Sequence, residues 1–239
     1  MGRFKRYRTA WSRLHRSKGF GIHSPFAYHF VVDVLRERLP YYAYDEIAVL
    51  RRGVIAATTH LWRHPRIISF KNAKMIYRIV NFFNPQHILQ VGTSYGISTA
   101  CALAVSRGSR LWLYESHLDR YPVVADVLAP LAQRVVCHDR LDKAVEDYCR
   151  HLDKDEVPFV IVNDVPLDSD VPVLIDTLHR CLEGEAVIIM RNLSRKSTMK
   201  QLWLDATQYA RHGQAFTNEK LGIMVVMSKL QRQDFFLWF

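Results

Sequence analysis

The sequence is poor in cysteine and contains no long hydrophobic run. Its 239 residues include 4 cysteines, and these form no C-x-x-C pair, which argues against a disulfide framework or a zinc site. No apolar stretch is long enough to cross a bilayer, and no apolar core follows the basic N-terminus as it would in a signal peptide. We therefore expect a cytoplasmic globular protein whose cysteines are buried thiols.

Acidic residues are absent from the first 20 positions. Seven basic residues lie there, and removing them from the formal net charge of +10 leaves +3 for the rest of the chain. Phe4, Tyr7, Trp11 and Leu14 follow helical spacing and would form one face of an amphipathic helix. This basic arm, residues 1–20, is suited to an anionic membrane surface, to RNA or to a protein partner. Alternatively, its aromatic face packs on the domain and its basic side chains are simply solvated.

Helical signals continue as far as residue 83. Ser24 followed by Pro25 is typical of a helix start, with serine as the N-cap and proline at the first helical position. Two further helices are expected at residues 42–58 and 69–83. We expect the chain to divide into a helical N-terminal extension, residues 1–69, and an α/β domain, residues 70–239.

From His87 onwards, apolar strands alternate with helices. The pattern indicates a parallel sheet, because strands buried on both faces and joined by helices pair in parallel. Its five predicted strands are 87–92, 110–115, 134–138, 158–163 and 186–190. Three more segments have strand character but no helices between them, so that end of the sheet needs antiparallel pairing. These segments are 215–218, 221–227 and 235–239.

The first strand leads into two glycines, Gly92 and Gly96, and then into a helix. This order is typical of a nucleotide-binding βα unit, because glycine lets the backbone turn with positive φ and approach a ligand closely. Nineteen residues after Gly96, the second strand ends at Glu115, where an acid can accept hydrogen bonds from ribose hydroxyls. A dinucleotide-binding dehydrogenase is the main rival by fold, but its motif has three glycines and position 94 here is serine.

The segment Leu89–Ala100 resembles the first motif of the O-methyltransferase-like members of the class I S-adenosylmethionine-dependent methyltransferase superfamily. Lys18–Val32 resembles the N-terminal segment of a divergent bacterial branch of this superfamily. The resemblance implies a Rossmann-like methyltransferase fold: a mostly parallel, seven-stranded α/β sheet with antiparallel strands at its C-terminal end. It also implies S-adenosylmethionine as cofactor and methyl transfer, acting on a small molecule or an acceptor that the sequence does not identify.

The resemblance assigns cofactor-binding roles to individual residues. Gly92 and Gly96 would border the amino-acid end and the ribose, Glu115 would hold the ribose diol, and Asp139 would lie beside the adenine. The remaining cofactor-binding candidates are Gln90, Thr93, Ser94 and Asn163. Two of these assignments have structural alternatives: Glu115 as a solvent-exposed acid at a strand end, and Asp139 as a cap for the helix near Arg140.

The sequence departs from the family pattern at three strand ends. The acid of the first motif is replaced by Gln90, and the acid after the fourth strand by Asn163, with Asp164 next to it. The metal-dependent branch has Asp-Asn after the fifth strand, where this chain has Arg191-Asn192. A divalent cation needs several anionic oxygens, so we expect no metal site and a metal-independent reaction.

The chemistry of the site is less clearly marked than its fold. Methyl transfer without a metal depends on positioning the acceptor and on a base that takes its proton. The candidate bases are Asp164, His117 and His23. A second hypothesis follows from the three departures: the chain is a binding or scaffold protein on a methyltransferase fold with weak catalysis or none.

Overall fold

The computed structural model describes residues 21–59, 67–116 and 122–239. Within these ranges, three helices precede the sheet: α1 (Pro25–His29), which continues as a π-helical segment (Phe30–Leu35), α2 (Ala43–Thr58) and α3 (Phe70–Phe83). The predicted start of α1 is confirmed, since the Ser24 side chain accepts a hydrogen bond from the Ala27 amide at 3.3 Å. The basic arm and its proposed aromatic face lie outside the described residues.

A single sheet of eight strands forms the centre of the described structure, with the order β3-β2-β1-β4-β5-β7-β6-β8. The strands are β1 (His87–Val91), β2 (Arg110–Tyr114), β3 (Val135–His138), β4 (Phe159–Val162), β5 (Ala186–Arg191), β6 (Gln214–Thr217), β7 (Leu221–Val226) and β8 (Gln233–Phe236). Strand β7 runs antiparallel to both β5 and β6, and the other neighbouring strands are parallel. The predicted mostly parallel sheet is confirmed, but it has one strand more than the expected seven, because β8 adds to the edge beside β6.

Helices cover both faces of the sheet. The five that follow β1 are α4 (Ile97–Leu103), α5 (Pro122–Leu128), α6 (Leu141–His151), α7 (Val171–Glu183) and α8 (Ser197–Tyr209). Residues of α1 to α5 share one hydrophobic cluster with one face, and residues of α6 to α8 share another with the opposite face. None of the described helices is long and apolar enough to cross a bilayer.

The helices before residue 70 pack directly on the α/β part. Phe30 lies 5.0 Å, centroid to centroid, from Phe216 of β6, and the guanidinium of Arg78 in α3 donates to the carbonyl oxygens of Leu35 and Glu37. Residues 25–58 therefore help to form the same hydrophobic cluster as α3. The domain division at residue 69 stays a prediction.

The expectation of buried thiols is wrong for two of the four cysteines. Cys101 is buried in α4, whereas Cys137 and Cys149 are exposed and Cys181 is half-buried. Cys137 is exposed because β3 is an edge strand, and Cys149 lies on the solvent side of α6.

Candidate functional site

The sheet changes its direction of progression between β1 and β4. From β1 the chain crosses to β2 on one side, and from β4 it crosses to β5 on the other. In open α/β sheets, ligands bind at the carboxyl ends of the strands at such a switch point. The loop that follows β1, residues 92–96, lies at this position, and we call it the glycine loop.

The glycine loop has an unusual backbone. Gly92 and Gly96 have φ values of 81° and 77°, and the intervening Ser94 and Tyr95 also have positive values, 49° and 60°. Non-glycine residues rarely adopt positive φ, and consecutive ones are held in place only when their surroundings impose the conformation. The sequence predicted a turn with positive φ at the two glycines. It did not predict the left-handed conformation of the two residues between them.

Packing against other parts of the protein explains both glycines. A Cβ atom at Gly92 would lie 3.1 Å from the carbonyl oxygen of Asp164, and one at Gly96 would lie 2.6 Å from Cγ1 of Val127 in α5. The glycines are needed where the loop lies close to the end of β4 and to α5. The sequence-based explanation, a close approach to a ligand, stays a prediction beside this one.

Glu115 is joined to the glycine loop. Its Oε2 accepts hydrogen bonds from the Thr93 amide at 3.1 Å and from Thr93 Oγ1 at 3.3 Å. The side chain is half-buried, so the alternative of a solvent-exposed acid does not hold. The structure thus brings together two sites that are 22 residues apart in sequence, while binding of the ribose diol by Glu115 stays a prediction.

Two buried amide side chains converge on the carbonyl oxygen of Gly92. Gln90 Nε2 donates to it at 3.0 Å and Asn163 Nδ2 at 2.8 Å. Gln90 also donates to Thr99 Oγ1, and Asn163 to Ser98 Oγ. A carboxylate has no proton to donate, so acids at positions 90 and 163 could not make these bonds. Both departures from the family pattern therefore serve the same purpose: they hold the glycine loop from two strands.

Gln90 and Asn163 are almost completely buried, with exposed fractions of 0% and 1%. They are placed beneath the loop and brace it from the sheet. Two polar atoms here are buried and have no hydrogen-bond partner among the described residues: the hydroxyl oxygen of Ser94 and Oε1 of Gln90. The Ser94 hydroxyl lies within the glycine loop itself, which the sequence assigns to the cofactor.

Arg191 lies at the end of β5, beside this network. Its Nη1 donates to Asn163 Oδ1 at 2.6 Å, and its side chain is 5% exposed. Burial lowers the pKa of Arg191 to about 10. Asn192, with φ of 60°, donates from Nδ2 to the carbonyl oxygen of Asn163 at 2.9 Å. The β5 end is therefore held to the β4 end by side-chain hydrogen bonds.

The charge at this strand end is positive. Among the described residues there is no group of three or more His, Cys, Asp or Glu side chains that could hold a metal ion. The metal-independent reaction stays a prediction, supported by the buried guanidinium of Arg191 in place of an acid.

Asp164 is the candidate base that lies at the glycine loop. Its backbone packs against Gly92, and its Oδ1 forms an ion pair with Lys196 Nζ at 2.7 Å. Both side chains are about a third exposed, at 36% and 37%. Lys196 was not among the sequence-based candidates, because it lies 32 positions further along the chain and belongs to no motif.

His23 is in the wrong place for a base at this site. The adjacent Ser24 accepts a hydrogen bond from Gln214 Nε2 at 2.7 Å, and Gln214 begins β6. Because β6 runs in the same direction as β5, its first residue lies at the amino edge of the sheet, opposite the glycine loop. His117, the other histidine candidate, lies outside the described residues.

Asp139 follows β3 and is exposed. It comes directly after His138, whose carbonyl oxygen accepts a hydrogen bond from the Glu115 amide at 3.1 Å. The alternative role as a helix cap is wrong, because the N-cap of α6 is Arg140 and no side chain caps that helix. Contact of Asp139 with an adenine ring stays a prediction.

No protein-family model and no curated protein sequence matches the chain. Solved structures do match. An O-methyltransferase from Bacillus cereus, in complex with S-adenosylhomocysteine, has a TM-score of 0.56 at 16% identity, covering 82% of this chain and 96% of that one. The chain has the methyltransferase fold.

Two further structures support this assignment of the fold. The O-methyltransferase TomG from Streptomyces achromogenes, in complex with S-adenosylmethionine, has a TM-score of 0.53 at 16% identity, covering 80% of this chain and 92% of that one. A methyltransferase from Podospora anserina, bound to S-adenosylhomocysteine, has a TM-score of 0.55 at 10% identity and covers 80% and 99%. At these identities, the likeness establishes the methyltransferase fold and leaves the activity to be argued from the site.

Proposed function

We propose that the protein is an S-adenosylmethionine-dependent methyltransferase that acts without a metal ion. The observation that carries this proposal is the contact between Glu115 and Thr93, which joins a strand-end acid to the glycine loop at the switch point of the sheet. The solved structures of similar fold that contain S-adenosylmethionine or S-adenosylhomocysteine are in keeping with it.

The residues present are suited to the cofactor. Both hydrogen bonds from Thr93 go to Oε2 of Glu115, so within the described residues Oε1 is left for the ribose hydroxyls. The buried hydroxyl of Ser94 has no partner among the described residues, and the cofactor would offer it one. Gln90, Asn163 and the two glycines hold the loop in shape. The bound cofactor would supply an electrophilic methyl group on a sulfonium.

A base for the acceptor's proton is best sought at Asp164. The carboxylate lies next to Gly92 and is partly exposed, whereas Asn163 is buried and has no basic group. Its ion pair with Lys196 must loosen, or be shared with the acceptor, before Asp164 takes a proton. Lys196 thus becomes a positioning residue in this proposal.

The second candidate function is a binding or scaffold protein on the same fold. It is favoured by the replacement of two acids of the family pattern by buried amides, Gln90 and Asn163, which removes negative charge from the strand ends beside the glycine loop. In this alternative the glycine loop is held for structural reasons, and the cofactor binds weakly or not at all.

Titration calorimetry with S-adenosylmethionine and S-adenosylhomocysteine distinguishes the two candidates. We expect the wild type to bind both, in competition. Glu115→Ala should bind about ten- to a hundredfold more weakly, because hydrogen bonds to a charged group contribute roughly 1.5–3 kcal/mol. Asp126→Ala, which removes an exposed acid from α5, is the matched control and should bind as the wild type does.

The outcomes separate the assignments. A wild type that binds neither compound would exclude the methyltransferase proposal and leave the scaffold. A wild type that binds, with Glu115→Ala binding equally well, would keep the cofactor and remove Glu115 from its site.

A further inference from the structure

A basic pocket lies beside the glycine loop, at the carboxyl end of β5. Its volume is about 730 Å³, and its walls come from the start of α3, the residues after β5, the turn between β6 and β7, and the last residues of the chain. The charged and aromatic residues that define it are Lys71, Arg191, Arg195, Glu219, Lys220 and Trp238.

The balance of charge in this pocket is strongly positive. Four of its lining residues are cationic and one, Glu219, is acidic. Burial lowers the pKa of Lys71, and the charges of Arg78 and Lys220 lower it further. Within the pocket, Lys71 and Lys220 are thus close enough to repel each other, as are Arg191 and Arg195, and an anion between them would relieve that repulsion.

Arg191 provides a second, independent indication of a ligand. It lines the pocket, is 95% buried, and places no nitrogen within ion-pair distance of a carboxylate in the described structure. Its one side-chain partner is the neutral amide of Asn163, and its Nε has no hydrogen-bond partner among the described residues. A buried guanidinium without a counter-charge is costly, so an anion bound here would gain more than at an exposed arginine.

The backbone at the opposite wall adds to the attraction. Helix α3 begins at the pocket, with Ser69 as its N-cap and Lys71 and Asn72 in its first turn. The first turn of a helix carries a partial positive charge and amide groups that point outwards. The pocket wall also contains an acceptor, the main-chain oxygen of Phe239, which receives a hydrogen bond from Asn218 Nδ2 at 3.1 Å.

The pocket is directly connected to the glycine loop. Arg191 Nη1 donates to Asn163 Oδ1, and Asn163 Nδ2 donates to the carbonyl oxygen of Gly92. A molecule held at Arg191 is therefore separated by only one side chain from the loop to which the proposed function assigns the cofactor. This is the place for the second substrate of a transfer reaction.

We propose that the basic pocket binds an anionic group, a phosphate or a carboxylate, of the methyl acceptor. That the anion belongs to a methyl acceptor depends on the proposed function. The anion site itself depends only on the residues of the pocket. Arg191 and Arg195 hold the anion from the β5 side, and Lys71 and the start of α3 hold it from the opposite wall.

The test uses the full chain and two probes, inorganic pyrophosphate for phosphate groups and benzoate for carboxylates, titrated at constant ionic strength. We expect at least one probe to bind the wild type. The variant Lys71→Ala/Arg195→Ala should weaken that binding by about tenfold or more, because each lost charge-assisted hydrogen bond costs roughly that factor. Lys71 and Arg195 are exposed, so both substitutions should leave the fold intact, which circular dichroism checks.

Lys200→Ala is the matched control, since Lys200 is an exposed cation of α8 outside the pocket. It removes one positive charge outside the pocket, against two inside it for the pocket variant, and should bind the probe as the wild type does. The proposal is overturned if neither probe binds, or if Lys200→Ala weakens binding as much as the pocket variant. Which probe binds more tightly decides between phosphate and carboxylate.

Binding of S-adenosylhomocysteine to the same samples keeps the two proposals apart. If S-adenosylhomocysteine binds and neither anion does, only the inference about the acceptor fails. If an anion binds in the pocket and S-adenosylhomocysteine does not, the anion site stands, the proposed function fails, and the bound anion is not part of a methyl acceptor.

Discussion

The glycine loop and the basic pocket lie at the same edge of the sheet but are built in opposite ways. In the loop, the carbonyl oxygen of the buried Gly92 receives two hydrogen bonds from buried amides. In the pocket, the guanidinium of Arg191 is buried with one neutral partner. The Gly92 carbonyl oxygen has its hydrogen bonds from within the protein, whereas the guanidinium of Arg191 has charge left for a ligand. The difference indicates that the loop has its shape before a ligand binds, whereas an anion gains the most binding free energy in the pocket.

The largest effect expected on the loop side is that of Gly96→Ala. The new Cβ would lie 2.6 Å from Val127 Cγ1 at a φ of 77°, so we expect the free energy of unfolding to fall by about 2–5 kcal/mol, from overpacking and left-handed strain together. Denaturant titration measures it. Adding Val127→Ala should restore the part that comes from the clash.

Gly53→Ala is the control for this prediction. Gly53 lies inside α2, and a Cβ there would meet nothing within 4 Å, so alanine should stabilise the protein by about 0.5–1 kcal/mol. A Gly96→Ala protein as stable as the wild type would show that the loop is looser than its backbone geometry implies, and that it is not pre-formed.

The next effect tests the link between the two regions. Asn163→Ala should lower the free energy of unfolding by about 2–4 kcal/mol, because it leaves a buried Arg191 without its partner and Gly92 with one donor fewer. Asn163→Asp sharpens the comparison: it gives Arg191 a counter-charge but cannot donate to the carbonyl oxygen of Gly92.

If Asn163→Asp is at least as stable as the wild type, the charge of Arg191 dominates at this position and bracing of the loop does not. Loss of stability in both variants, accompanied by weaker binding of S-adenosylhomocysteine, is the result that the hydrogen-bond network predicts.

Removal of metal ions should have no effect on methyl transfer. A positive side chain, Arg191, occupies the strand end where the metal-dependent branch has an acid, and it would repel a divalent cation. We expect the initial rate, once an acceptor is found, to be the same with and without a chelator. Activity that disappears with chelator and returns with Mg²⁺ would contradict both the proposed mechanism and the description of the pocket as an anion site.

The smallest effect on stability is expected for Lys196→Ala. Its ion pair with Asp164 is about a third exposed on both sides, and such pairs contribute only about 0–1 kcal/mol. The free energy of unfolding should therefore change by about 0.5 kcal/mol or less, and binding of S-adenosylhomocysteine should be unchanged. A loss of several kcal/mol would mean that the pair is part of the braced network between the two regions.

The sequence by itself determined much of the glycine-loop side. Hydrophobic periodicity located the strands, and Gly92 and Gly96 lie in one contiguous connection after β1. Because β1 and β2 were expected to be parallel, their carboxyl ends, and with them the glycine loop and Glu115, were expected at one edge. The reason for the glycines was not visible in the sequence, because Asp164 and Val127 approach them only after the strands have paired.

Tertiary structure alone decided the rest. The contact of Ser24 with Gln214 places His23 at the amino edge of the sheet, opposite the glycine loop. The basic pocket is formed by segments that are up to about 170 residues apart in sequence. Tertiary structure also gave Gln90 and Asn163 a shared acceptor, the carbonyl oxygen of Gly92. Periodicity records which face of a strand or helix is buried, but the meeting of distant side chains depends on strand order and register, which a single sequence does not specify.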